Sequence, residues 1–204
     1  MIGIVDYGMG NLGSVSNMLR KIGVDSKLIN RADEIERFNK LILPGVGSFD
    51  KAMQRINSSG IRDSLEYAVQ IQKKPILGIC LGMQLLTKGS EEGSEAGLGW
   101  VDAHTFKFPA HLDVRIPHMG WNQVFASQNL GIMNRNVPDD CRYYFVHSYY
   151  VRTERPEIVS LTCNYGIAFT AALESGHIFG AQFHPEKSHR FGMDFFRTFA
   201  QLEC

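Results

Sequence analysis

The stretch Gly78-Ile79-Cys80-Leu81-Gly82-Met83-Gln84 decides the fold, and it follows the short apolar run Lys74-Pro75-Ile76-Leu77. The apolar run predicts a buried strand, and the residues from Leu81 to Lys88 predict the beginning of a helix. A cysteine at a sharp strand-to-helix turn has the form of a nucleophile elbow, and the flanking glycines permit the turn while leaving the sulfur uncovered. Cys80 is therefore a candidate nucleophile, with a buried structural cysteine as the alternative.

A second motif, Gly180-Ala181-Gln182-Phe183-His184-Pro185-Glu186-Lys187-Ser188, supplies a base for that cysteine. His184 can accept the thiol proton. Glu186, two residues further on, can fix the imidazole tautomer and stabilise its charged form. Because residues two apart in an extended segment face the same side, both side chains are expected to face the nucleophile. The sequence therefore predicts a triad of Cys80, His184 and Glu186.

Composition and charge are those of an ordinary globular protein. The 204 residues predict a single domain over residues 1–204, and 21 acidic against 21 basic residues give no net charge, so we expect no nucleic-acid or membrane partner. The chain has no apolar run of 18 residues and opens directly on a strand pattern, which favours a cytoplasmic location. The cysteines Cys80, Cys141, Cys163 and Cys204 lack metal-ligand spacing, and reduced thiols fit that compartment.

The first ninety residues alternate strand and helix patterns. The runs Ile2-Gly3-Ile4-Val5-Asp6 and Lys40-Leu41-Ile42-Leu43 are typical of buried parallel strands. Between them, Asn11 is expected to cap a helix that Gly23 ends. A further helix is predicted from the apolar residues Ile61, Leu65, Ala68 and Val69. This alternation predicts an α/β fold with a mostly parallel central sheet flanked by helices.

Two glycine-rich turns follow predicted strands. The spacing Gly8-x-Gly10-x-x-Gly13 matches a dinucleotide fingerprint, but Asn30 stands where an acidic residue is expected, so a tight turn into a helix is favoured. In the second turn, Pro44-Gly45-Val46-Gly47, the glycines free the backbone to aim an N–H at a ligand. Beside the elbow, the N–H groups of Val46 and Leu81 would form an oxyanion hole. A plain strand-to-helix turn is the alternative.

After residue 93 the pattern becomes shorter, more aromatic and more alternating, as expected of additional antiparallel strands at one side of the sheet. Strands are predicted from Trp100 to Phe108, Arg142 to Val151, Glu157 to Asn164, Phe169 to Glu174 and His177 to Phe183. Glu174-Ser175-Gly176-His177 predicts a hairpin turn. The final helix is predicted from about His189 to Leu202, with a stripe of phenylalanines packed on the core.

The segment Pro117-His118-Met119-Gly120-Trp121-Asn122 is predicted as an unusual loop. Its tryptophan is either buried or part of a partner interface. His118 and His147 are alternative candidates for the catalytic base, although His184 already has a carboxylate partner in Glu186.

The elbow together with His184-Pro185-Glu186 resembles the class I (triad) glutamine amidotransferases. Further motifs resemble the glutaminase subunits of imidazole glycerol phosphate synthases over essentially the whole chain: Ile4-Val5-Asp6-Tyr7-Gly8-Met9-Gly10-Asn11-Leu12, Leu43-Pro44-Gly45-Val46-Gly47, Pro117-His118-Met119-Gly120-Trp121-Asn122 and Tyr144-Phe145-Val146-His147-Ser148-Tyr149. The resemblance implies a flavodoxin-like α/β domain that requires no metal and no organic cofactor.

The resemblance also implies a mechanism. Cys80 would attack the side-chain amide carbon of glutamine, and His184 would protonate the departing ammonia and then activate water to hydrolyse the thioester. Glutamine contacts are implied at Gly47, Gln84, Glu92, Ser148 and Tyr149. Ammonia would pass to a (β/α)₈-barrel cyclase subunit of a heterodimer, which makes imidazole glycerol phosphate and an aminoimidazole ribotide. The residues implied to face this partner are Asn11, Trp121 and Tyr144.

Two other functions remain open. The segment Ser188-His189-Arg190-Phe191-Gly192 is bulkier and more basic than is usual in this family, which leaves room for a paralogue that feeds ammonia to a related barrel protein for sugar amidation. A free-standing γ-glutamyl hydrolase with a Cys–His pair is the other alternative. The intact set of Cys80, His184 and Glu186 argues against a catalytically silent binding module.

Overall fold

The computed structural model describes residues 1–128, 131–135 and 137–202, and these residues form one extended sheet with helices on both faces. The strands within them are β1 (Ile2–Val5), β2 (Ser26–Ile29), β3 (Lys40–Gly45), β4 (Ile76–Cys80), β5 (His104–Lys107), β6 (His118–Ala126), β7 (Arg142–His147), β8 (Tyr149–Arg152), β9 (Val159–Tyr165), β10 (Ile167–Ser175) and β11 (Ile178–Ala181). The α-helices are α1 (Leu12–Lys21), α2 (Phe49–Ser58), α3 (Arg62–Glu66), α4 (Leu81–Leu85) and α5 (His189–Ala200).

The sheet has a parallel part and an antiparallel part. Strands β2, β1, β3, β4 and β11 lie side by side and are parallel, and β10, β9, β6 and β7 continue the sheet in antiparallel pairs. Strand β8 pairs with β10 and with β5. The predicted α/β fold, with its mostly parallel centre and additional antiparallel strands, is confirmed.

Burial on both faces explains the apolar runs of the central strands. All residues of β1 and β4 are buried, so neither strand alternates between apolar and polar residues. Helices α2 and α3 contribute to the core on one face, and α1 and α5 contribute to the core on the other. The predicted phenylalanine stripe belongs to the second core, where Phe195 and Phe199 are buried in α5.

The predicted site lies where three adjacent strands end. β4 lies between β3 and β11, with Gly45 opposite Cys80 and Ala181 opposite Ile79. The turn after β3, the elbow after β4 and the segment after β11 therefore leave the same edge of the sheet. Functional groups in open α/β sheets gather at this edge, outside the carboxyl ends of the strands.

Several predicted boundaries differ from the structure. The strand predicted over residues 142–151 is interrupted at Ser148, because β7 pairs with β6 whereas β8 pairs with β5 and β10. The strand predicted over residues 100–108 is confined to β5, and the one over residues 177–183 ends with β11. Helix α4 ends at Leu85, and a π-helical turn, Tyr67–Ile71, follows α3. The hairpin turn between β10 and β11 is confirmed by the pairing of Ser175 with Ile178.

The predicted loop over residues 117–122 is instead the beginning of β6, a nine-residue strand paired with both β7 and β9. The strand is difficult to recognise from its sequence because Met119, Trp121 and Phe125 are apolar residues on an exposed face.

No helix among the described residues is long and apolar enough to cross a membrane. Cys204 lies outside the described residues.

Candidate active site

Cys80 occupies a sharp turn at the end of β4. Its backbone has φ 55° and ψ −111°, a left-handed conformation that is rare and costly outside glycine. A Cβ on Gly82 would overlap the Leu43 carbonyl oxygen, and one on Gly78 would lie 2.7 Å from the Gly82 carbonyl oxygen. The two glycines are therefore needed for close packing within the elbow and against β3. The nucleophile elbow predicted from the sequence is present.

His184 and Glu186 form a buried pair behind the cysteine. His184 Nδ1 donates to Glu186 Oε1 at 2.8 Å, and both side chains are almost inaccessible to solvent. The expected extended segment is wrong, because Glu186 belongs to a short 3₁₀ helix, Pro185–Lys187, and reaches the imidazole through that turn. Asn11 does not cap α1 with its side chain as predicted; its Nδ2 donates to Glu186 Oε1 at 3.5 Å.

The electrostatics of this pair favour a charged imidazole. Burial alone would lower the pKa of His184, but interactions with Cys80 and Glu186 outweigh it and raise the pKa to about 10. The other ring nitrogen, Nε2, is buried and has no hydrogen-bond partner among the described residues. Nε2 is consequently the atom available to exchange a proton with the sulfur or with a bound substrate.

One cavity of about 300 Å³ brings the predicted residues together. It is lined by Val46, Gly47, Cys80, Leu81, Gln84, Glu92, Pro117, Val146, His147, Ser148, Tyr149, His184 and Lys187. Every predicted catalytic, oxyanion-hole and glutamine-contact residue is in this set except Glu186, which stands behind His184. A cavity of about 710 Å³ beside α5 contains none of the predicted residues.

Sequence reasoning missed three lining residues, Pro117, Val146 and Lys187, and one residue beneath the cavity, Gln182. His147, which also lines the cavity, was considered only as an alternative base. The four missed residues lie within or next to the motifs that carried the family resemblance. Their motifs were informative, but single residues could not be ranked without the positions of their side chains. Ser188 was also missed: its Oγ donates to the His184 carbonyl and accepts from the Tyr144 N–H, which fixes the triad segment to β7.

Two lining side chains are oriented by bonds to the protein. Gln84 Nε2 donates to the Tyr149 carbonyl at 3.1 Å and to Gln182 Oε1 at 3.0 Å, so its own Oε1 is the amide atom that remains for a ligand. Glu92 Oε2 accepts the Phe49 N–H at 2.9 Å at the beginning of α2. The cavity that Cys80 lines thus also presents oxygen acceptors, which suit a ligand bearing an ammonium group.

The predicted partner-facing residues separate into two places. Trp121 lies opposite Tyr144 in the β6–β7 pair, is 44% exposed and stacks on His189 with ring centroids 5.4 Å apart. The Lys187 ammonium lies over the Tyr144 ring, 5.7 Å from its centroid. Asn11 contacts the triad instead, through Glu186.

The alternative bases His118 and His147 are bonded to each other rather than to a carboxylate. His118 Nδ1 lies 3.0 Å from His147 Nε2, and His147 Nδ1 lies 2.8 Å from the Tyr149 carbonyl oxygen. Burial lowers the pKa of His118 to about 4 and that of His147 to about 3, so both rings are neutral at pH 7. The geometry therefore favours His184 as the base.

The chain resembles proteins of one family over its whole length. Residues 3–201 match the family model described as "Glutamine amidotransferase class-I". A Pseudomonas aeruginosa protein named "Imidazole glycerol phosphate synthase subunit HisH 2" is 48% identical over 202 residues, which cover 99% of this chain and 100% of that protein. A Methanococcus maripaludis protein of the same name is 49% identical over 98% of each chain. The corresponding "subunit HisH" of Bdellovibrio bacteriovorus is 42% identical over 99% of this chain and 100% of its own.

Several solved structures have a fold similar to that of this chain. "Structure of PurLQS from Thermotoga maritima" superposes with a TM-score of 0.76 at 18% identity, covering 97% of this chain and 96% of that chain. "Crystal structure of glutamine amidotransferase" superposes with a TM-score of 0.74 at 17% identity, covering 98% and 99%. At these identities the likeness concerns the fold alone.

Proposed function

The chain belongs to the class-I glutamine amidotransferase family, and from this premise we propose that it is the glutaminase subunit of an imidazole glycerol phosphate synthase. In this role it hydrolyses glutamine to glutamate and ammonia, and the ammonia serves histidine biosynthesis. The observation that carries the proposal is the shared cavity of about 300 Å³, where Cys80 and His184 face the oxyanion-hole candidates and Glu92. Its volume lies at the lower end of the range for small-ligand pockets, which suits an amino acid.

The first half-reaction forms a thioester. His184 accepts the proton of the Cys80 thiol, and the thiolate so formed attacks the side-chain amide carbon of glutamine. The oxyanion that develops accepts hydrogen bonds from the N–H groups of Val46 and Leu81, which leave adjacent strand ends. His184 Nε2 then donates its proton to the departing ammonia.

The second half-reaction releases glutamate. His184, now neutral, accepts a proton from water as the water attacks the thioester, and the sulfur leaves as a thiolate. Glu186 holds the ring through Nδ1 at 2.8 Å, so Nε2 faces the cavity in both steps. Asn11 adds a second donor to the same carboxylate oxygen and limits its rotation.

Glutamine is held by its amino-acid end. The α-ammonium group pairs with the Glu92 carboxylate, one oxygen of which is already anchored to the Phe49 N–H. Gln84 Oε1 accepts a further hydrogen bond, while the backbone of Gly47 and of Ser148-Tyr149 contacts the α-carboxylate side of the ligand. These positions support binding of the free amino acid rather than a long peptide.

A partner receives the ammonia. The curated relatives are named as subunits of imidazole glycerol phosphate synthase, which supports a heterodimer of this single domain, residues 1–204, with a (β/α)₈-barrel cyclase. Exposed Trp121 and partly buried Tyr144 form an aromatic pair suited to such an interface. The free thiols of Cys141 and Cys163 are compatible with a reducing compartment, so we place the complex in the cytoplasm.

The test is glutamate release from glutamine, measured with and without a cyclase subunit from the same source and its ribotide ligand. We expect strong activation by the cyclase, loss of activity in Cys80→Ala, and near-normal activity in Cys141→Ala, which alters a buried cysteine outside the cavity. Activation only by a different barrel protein would keep the chemistry and change the pathway. Full turnover by the free chain on γ-glutamyl peptides would replace the proposal with a hydrolase.

A further inference from the structure

The Tyr149 carbonyl fixes the orientation of two side-chain amides beneath the cavity. A carbonyl oxygen can only accept, so the Gln84 group facing it at 3.1 Å is the amide nitrogen. The second N–H of that nitrogen donates to Gln182 Oε1 at 3.0 Å. Gln182 must then turn its own NH₂ the other way, toward Cys80 Sγ, at 3.9 Å. The side chain of Gln182 is fully buried, so water does not compete for these bonds.

The same carbonyl fixes the protonation of the histidine pair. It accepts from His147 Nδ1, which leaves His147 Nε2 as an acceptor for the Nδ1–H of His118. His118 Nε2 then accepts from Asn122 Nδ2 at 3.2 Å. Asn122 is oriented independently, because Nδ2 also donates to the Asn164 carbonyl and Oδ1 accepts the N–H of the next residue. The donor and acceptor roles deduced from the Tyr149 carbonyl agree with those deduced from Asn122, so every hydrogen bond between them has one donor and one acceptor.

Besides His184, the sulfur has two polar contacts, and they suit different protonation states. The Cys80 thiol can donate to the Val146 carbonyl at 3.9 Å, but a thiolate has no proton to donate and only accepts. The Gln182 N–H, at the same distance on another side, is a donor that a thiolate can use. Hydrogen bonds to a charged acceptor are stronger than those between neutral groups, so this contact strengthens as the sulfur ionises.

We propose that Gln182 donates a hydrogen bond to the Cys80 thiolate and that the chain Asn122–His118–His147–Tyr149 carbonyl–Gln84 is a positioning element that keeps this donor aimed at the sulfur. The inference rests on the proposed function, since it takes Cys80 as the nucleophile. It gives the neutral histidine pair a purpose: His147 holds the carbonyl that orients Gln84, and Gln84 orients Gln182.

Alkylation of Cys80 by iodoacetamide, followed by peptide mapping, tests the donor without glutamine or partner. Gln182→Glu keeps the acceptor for Gln84 and replaces the donor beside the sulfur with a carboxylate, so the alkylation rate at pH 7.5 should fall about threefold to tenfold, because the thiolate is the reacting form. Gln182→Met removes the donor without adding a charge and should lower the rate in the same direction, which separates the lost hydrogen bond from the added charge. The pH profile of alkylation should move to higher pH. Gln72→Glu adds the same charge at an exposed position and should alkylate at the wild-type rate.

A second pair of variants tests the positioning chain. Asparagine at position 147 can present an amide N–H to the Tyr149 carbonyl where His147 presents Nδ1–H, whereas leucine cannot. His147→Leu should lower the alkylation rate several-fold, and His147→Asn should restore it to within about twofold of wild type. Equal rates in the two variants at equal melting temperatures would overturn the positioning role.

If Cys80 in Gln182→Glu is alkylated at the wild-type rate, Gln182 is not a donor to the thiolate. If Gln182→Glu fails to fold, Gln182→Met, which has a similar volume and no donor, takes its place with the same expected loss. Because alkylation does not depend on glutamine turnover, a wild-type protein that releases no glutamate with any partner would refute the proposed function and leave the result for Gln182 standing.

Discussion

Gly45 and Cys80 stand opposite each other where β3 and β4 end, so the candidate oxyanion turn and the candidate nucleophile leave the sheet side by side. A Cβ on Gly45 would lie 2.7 Å from the Gly82 N and 2.9 Å from the Tyr7 hydroxyl oxygen. The Tyr7 hydroxyl in turn donates to the Pro44 carbonyl at 2.9 Å. This edge of the sheet is therefore assembled by backbones that approach each other more closely than side chains would allow.

This packing predicts that Gly82→Ala is strongly destabilising. The new methyl group would overlap the Leu43 carbonyl oxygen, so β3 or the elbow must shift, at a cost of about 1–3 kcal/mol of unfolding free energy. Urea denaturation measures the loss, and glutaminase assays should show activity falling with it. Gly13→Ala is the control, because Gly13 lies in α1 and a Cβ added there would have no heavy atom within 4 Å. We expect the stability of this variant to be unchanged or slightly higher. Equal stability of the two variants would contradict this account of the elbow.

The buried pair behind the sulfur predicts the effect of Glu186→Gln. The amide removes the charge that raises the pKa of His184 and no longer fixes the Nδ1 proton, so kcat should fall about 10²-fold. Glutamate release in the presence of the cyclase measures it. Glu157→Gln makes the same replacement in an exposed ion pair with Arg155 and should leave kcat unchanged. A fall in KM alone, with kcat preserved, would remove Glu186 from the triad.

The parts of the fold that sequence patterns identified are those with continuous burial. β1 and β4 read as apolar runs because both faces are covered, and the elbow was recognisable because Gly78 and Gly82 are required by close contacts. The sequence predicts a loop over residues 117–122, where β6 begins, because the exposed face of this strand carries apolar residues and no period of two is visible. Local patterns cannot reveal a strand whose pairing with β7 and β9 comes from distant parts of the chain.

The residues of the candidate site also differ in whether the sequence alone can identify them. The sequence proposes Cys80, His184 and Glu186 as a triad from residue type and spacing, and the structure brings the three side chains to one place. The sequence also predicts Asn11 as a helix cap and a partner contact, but its side chain reaches across 175 positions of sequence to Glu186. Gln182 could not be recognised, because an amide next to a histidine motif has no distinctive pattern until its contact with the sulfur is known.

The neutral histidine pair predicts loss of stability in acid. The pKa values of His118 and His147 are lowered by burial to about 4 and about 3, whereas the unfolded chain titrates near 6.5. The unfolded state therefore binds more protons between pH 6.5 and 4, so stability is complete above 6.5 and decreases as the pH falls. Each histidine should account for roughly 2 kcal/mol of unfolding free energy lost by pH 4.5.

Urea denaturation at pH 7 and pH 4.5 measures this loss. His118→Asn should show a smaller difference between the two pH values than wild type, by the contribution of one histidine. His111→Asn alters an exposed histidine and should match wild type. The raised pKa of His184 has the opposite effect: its stabilisation is fully present below pH 6.5 and is lost only as the pH rises through about 10. His184 therefore does not contribute to the loss of stability in acid. An unchanged pH dependence of stability in His118→Asn would mean that the pKa of His118 is the same in the folded and unfolded states, which would contradict this account.

The exposed aromatic face of β6 predicts a defect in partner activation for Trp121→Ala. Trp121 is 44% exposed, packs edge-on against Tyr144 and stacks on His189, so the free subunit already holds its ring in one orientation. A preordered tryptophan binds a partner at little entropic cost and is a typical hot spot, so its loss should weaken binding to the cyclase by about 2 kcal/mol, or roughly 30-fold in Kd. Titration of the cyclase into a glutamate-release assay gives both the Kd and the extent of activation.

Phe125→Ala is the matched control for that experiment. Phe125 lies on the same strand and is also 44% exposed, but its strand partner is Thr162 of β9 rather than a residue of β7. We expect Phe125→Ala to keep the wild-type Kd and full activation, and both variants to keep melting temperatures close to wild type, because each removes a half-exposed ring. If Phe125→Ala weakens the complex as much as Trp121→Ala, the partner covers the outer face of β6 as a whole. If neither variant changes the Kd, the cyclase docks elsewhere on the carboxyl edge of the sheet.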